Sequence, residues 1–73
     1  MNTITVYQIY LHAYNDILAL WANEKDRNDS FKAEHGRDNS IRIHRIEKYS
    51  AQLDELREVL LRMENEMSAS ANA

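Results

Sequence analysis

The 73-residue chain contains no cysteine, no proline and a single glycine, Gly36. Without cysteine there is no disulfide staple and no thiolate zinc site. Without proline, and with one glycine, the turn punctuation of a small β fold is missing. A basic excess is missing as well. Nine Lys and Arg face twelve Asp and Glu, a net charge of −3, whereas a general nucleic-acid binder is usually basic. Long apolar runs are also absent. The first 23 residues are rich in apolar side chains and hold no Lys or Arg, but Gln8, His12, Asn15 and Asp16 interrupt them. With no charged segment ahead of them, neither a signal peptide nor a membrane helix is expected. The expectation is a cytoplasmic protein with no membrane partner.

What is present is helical. The chain is 44% apolar and 29% charged, ordinary for a helical domain and too apolar for a disordered tail. Charge divides it into three parts. Residues 1–23 carry only Asp16. Residues 24–48 hold seven bases and six acids, and residues 49–73 hold two bases and five acids. In the first part, Ile4, Tyr7, Leu11, Tyr14, Leu18 and Trp21 recur at alternating three- and four-residue steps, the seam of a heptad repeat. A second stripe runs beside it: Val6, Tyr10, Ala13, Ile17 and Leu20. Together they cover roughly half of the helix circumference. In the last part, Ile46, Tyr49, Leu53, Leu56, Leu60, Met63 and Met67 form one narrower seam, with charged residues on the outer face.

These patterns predict an all-α fold: an antiparallel two-helix hairpin with a helix over about 4–35, a turn at Gly36 and a helix over about 39–67. Gly36 is the residue free to take the left-handed conformation that ends a helix, and Asp38, Asn39 or Ser40 can cap the next. With the turn there, each residue of the first seam meets one of the second, Tyr7 near Met67 and Trp21 near Leu53. The competing reading ends the first helix near Asn28–Ser30 and needs a structureless loop to Asn39, an uncommon length in a compact domain. Residues 1–67 are thus expected to form the hairpin domain and 68–73, small and uncharged, a disordered tail.

One partner helix cannot cover both stripes of the first helix. The second stripe is expected to be a dimer or partner interface, formed by Val6, Tyr10, Ala13, Ile17 and Leu20. The simplest cover is a second copy, two hairpins making a four-helix bundle. The alternative is a different protein on the same stripe.

Chemistry is harder to find. His12, His35 and His44 are the only imidazoles, and no Glu stands three residues before any of them, as the Glu-x-x-His pairs of di-iron bundles require. No glycine-rich phosphate loop surrounds Gly36, and no serine has a recognisable partner set. No catalytic residue, metal or cofactor is expected. Basic residues do gather near the turn, and Phe31, Arg42, Arg45 and Lys48 form a candidate contact surface there. The functional expectation is a small non-enzymatic protein–protein interaction module, an adaptor, regulator or inhibitor acting as a homodimer. The alternative is a helical dimer that binds nucleic acid through the basic residues at the hairpin tip, a weaker reading because interleaved acids dilute the positive field.

Overall fold

The computed structural model describes residues 2–72, with side chains as far as Ala69. Two helices of 33 residues each, α1 (Thr3–His35) and α2 (Ser40–Asn72), pack against each other as an antiparallel hairpin measuring 57 × 16 × 15 Å. Each helix begins on an asparagine. Asn2 is extended, and its side-chain oxygen accepts the Thr5 N–H at 2.8 Å. Asn39 accepts the N–H groups of Ile41 and Arg42 at 3.1 and 3.2 Å. Both satisfy backbone donors that the first turn of a helix leaves unpaired. Gly36 ends α1 at φ +70°, and its N–H donates to the Lys32 carbonyl at 2.8 Å. The continuous hairpin is therefore the fold, with its turn where the lone glycine stands.

α2 runs past the expected end near 67 and continues through 68–72. That stretch, Ser68–Ala69–Ser70–Ala71–Asn72, contains no glycine or proline to stop a helix, and alanine has the highest helical propensity of all residues. The expected tail is thus helical as far as Asn72, while Met1 and Ala73 lie outside the described residues.

The packed face of α2 is the expected one. Leu53 and Leu60 are buried, and Ile46, Tyr49, Leu56, Met63 and Met67 are half-buried. The packed face of α1 is rotated from the expected seam. Tyr7, Tyr14 and Trp21 are half-buried as anticipated, but Ile4, Leu11 and Leu18 are exposed, while Ile17, Glu24 and Phe31 take the half-buried positions and Asn28 is buried. The reason lies further along the helix. Continued by sevens, the line through Leu11 and Leu18 reaches Lys25 and Lys32, two charges without a buried partner. The line through Tyr10 and Ile17 reaches Glu24, which can pair, and Phe31, which is apolar. One straight helix must choose, and the second choice costs less.

Candidate interaction surface

The hairpin tip is held by polar side chains inside the packed face. Asn28 is only 5% exposed. Its amide oxygen accepts the Asn39 N–H at 2.8 Å, and its amide nitrogen donates to Asp38 at 3.1 Å. One side chain of α1 therefore clamps the residues that lead into α2. One turn back, the largely covered Glu24 carboxylate accepts from the Arg42 guanidinium at 2.8 Å and from Arg45 at 3.5 Å. These polar contacts escaped the sequence reading because Glu24 and Asn28 sit in a mixed-charge segment that looks solvated. The available signal was the seven-residue step from Ile17 to Glu24 and from Trp21 to Asn28.

The expected tip surface is accordingly much used within the chain. Arg42 and Arg45 share Glu24, so the three groups together carry a net charge of +1. Phe31 is half-buried, with its ring 4.3 Å from that of His35 and the Arg37 guanidinium 5.6 Å from its centre. Lys48 is exposed. A surface that binds phosphates needs concentrated positive potential, and the Glu24 contacts reduce it here. Among the described residues, no three His, Asp or Glu side chains gather where they could hold one metal ion.

The apolar surface lies on the other half of the hairpin, on both sides of the packed line Tyr7–Tyr14–Trp21. Ile4, Leu11 and Leu18 are exposed on one flank. On the other flank Ile9, Tyr10 and Leu20 are exposed, with Val6, Ala13 and Ile17 half-buried between them. Thus the expected interface residues are split. Tyr10 and Leu20 face outward, whereas Val6, Ala13 and Ile17 already pack in part within their own hairpin. At the open end, Tyr7 Oη donates to Glu64 Oε1 at 2.6 Å. This bond holds the phenolic proton, so the Tyr7 pKa is raised, first by the bond itself, then by desolvation and the Glu64 charge.

Total accessible surface is 5626 Å². A compact monomer of this mass exposes about 4,700 Å² by the usual scaling with mass. The hairpin, 57 × 16 × 15 Å, therefore leaves about 900 Å² more in water than that scaling gives. No helix of the described residues is long and apolar enough to cross a membrane. No protein family, curated protein or solved structure matches the chain.

Proposed function

We propose that this chain is a non-enzymatic protein–protein interaction module, an adaptor, regulator or inhibitor that acts as a helical homodimer. The observation that carries the reading is the exposed apolar surface of α1, with Leu20 48% and Ile9 52% exposed in the lone hairpin. Contiguous apolar surface of this kind marks association sites in proteins that stay in water. Its chemistry suits a second copy: residues 1–23 hold no Lys or Arg and one acid, so two identical faces meet with little like-charge repulsion. The polar groups covered within the packed face have structural tasks, Glu24 with two arginines and Asn28 with the turn.

The test is the molar mass in solution, measured by light scattering over a range of concentrations. The expected value is twice 8.6 kDa. A mass that stays at that of one chain at high concentration would refute the homodimer.

A further inference from the structure

We propose that Asn28 and Gly36 act together as a latch that keeps this chain folded back. Releasing the latch converts the hairpin into an antiparallel pair of copies, each a single straight helix that packs its α1 on the α2 of the other. This holds whether or not the closed hairpins pair with one another. The covered face runs through the whole chain in one heptad frame. Counted by sevens from Tyr7 to Met63, every position is buried or half-buried except His35 at the tip. The count crosses the turn without a break, so Tyr7 and Tyr49, like Trp21 and Met63, stand six whole heptads apart. A hairpin does not need this, because its turn sets the rotation of one helix on the other. A straight helix does, because its seam must face one partner from end to end.

Little but the turn separates the two arrangements. No proline interrupts the chain, and of the residues between α1 and α2 only Gly36 strongly disfavours a helix. The packing of α1 on α2 is the same whether the two helices belong to one chain or to two, as in any exchange of identical elements between copies. Glu24 meets Arg42 and Arg45 in either case. A parallel pair would instead lay Arg42 on Arg42 in the seam.

Asn28 tells the two apart. It is buried, and its amide oxygen accepts the Asn39 N–H at 2.8 Å. In the closed chain α2 starts after Asn39, so that N–H has no helical carbonyl to bond. In a straight helix the same N–H donates to the His35 carbonyl, and Asp38 stands about 15 Å along the axis from Asn28. The buried amide then loses its backbone partner. The second copy cannot replace it, because its own Asn39 N–H is spent in the same way. Gly36 acts in the same sense. Its φ of +70° suits the closed turn, and a glycine inside a helix is unfavourable.

The test introduces a pair of cysteines into a chain that has none. Ile4 and Met67 line one cleft at the open end, so Ile4→Cys with Met67→Cys reports which chain supplies the neighbouring helix. The protein is refolded at high concentration, oxidised, and weighed under denaturing conditions without reductant. With Asn28 and Gly36 in place, the link is expected within one chain, at 8.6 kDa. With Asn28→Ala and Gly36→Ala added, the share of links between chains is expected to rise at least about tenfold. The longest dimension in small-angle X-ray scattering is expected to grow from near 57 Å towards about 105 Å, the length of one helix from Thr3 to Asn72. Links that stay within the chain of the quadruple variant overturn the latch, and so does a loss of its helicity. A parent that already links between chains overturns it too. So does linkage by Ile4→Cys alone beside Asn28→Ala and Gly36→Ala, because only a parallel pair brings those positions together.

Discussion

Leu20→Glu separates association from folding, because its own hairpin leaves about half of Leu20 uncovered. A fully buried leucine contributes about 1.5–3 kcal/mol relative to an exposed one. Leu20 is 48% exposed, so about half of that, ~1 kcal/mol, remains to be gained by covering it. Two copies enter a dimer, which makes ~2 kcal/mol lost on removal of both leucines, about 30-fold in the dissociation constant. The glutamate adds a second cost, since a carboxylate covered without a partner resists desolvation. The sum exceeds about 100-fold. Within one hairpin the change is mild, because glutamate is a good helix former and the site is half open to water. The assay is sedimentation equilibrium over a concentration series, with far-ultraviolet circular dichroism as the check on folding. A dissociation constant within about threefold of the parent, at unchanged helicity, refutes the assignment of this stripe to the dimer. Glu58→Lys, on the exposed outer face of α2, is the control and should leave assembly intact.

Other perturbations probe the hairpin itself. Asn28→Ala leaves the Asn39 N–H without its acceptor and should cost about 1–3 kcal/mol in chemical denaturation; a change under ~0.5 kcal/mol would mean that water replaces the clamp at no cost. Gly36→Ala meets no neighbouring atom within 4 Å but must adopt φ +70°, so it should lose about 1 kcal/mol, and Gly36→Asn less. The Tyr7 phenol has a raised pKa because its proton donates to Glu64. Its stabilising effect is therefore fully present below the ordinary tyrosine value near 10 and lost as pH rises through the higher folded value. Thermal unfolding of the parent should weaken more steeply than that of Tyr7→Phe across the range above about pH 10, and parallel curves would dismiss the effect. Glu24→Gln leaves Arg42 and Arg45 facing each other without a counter-charge and should lower stability by more at low salt than at high salt; an equal loss at both would assign the effect to packing alone.

The sequence by itself determined the helices and favoured the turn. Apolar residues at three- and four-residue steps admit one regular structure, and the single glycine is the best place for a left-handed helix end, preferred over an end near Asn28–Ser30 because that end needs a long structureless loop. The narrow seam of α2 was legible for the same reason, since only one face of it is apolar. The face that α1 turns inward was decided by the tertiary structure. Its apolar arc is too wide to name a centre, and the periodicity of the first 21 residues favoured the flank of Ile4, Leu11 and Leu18, which the fold leaves exposed. The choice was made beyond them, where one flank leads to Lys25 and Lys32 and the other to Glu24 and Phe31. Local periodicity cannot weigh those alternatives, because the value of a buried Glu24 depends on Arg42 and Arg45 arriving from the other helix. Asn28 is the same case: its amide becomes a core group only when the turn folds back onto it and supplies the Asn39 N–H and the Asp38 carboxylate.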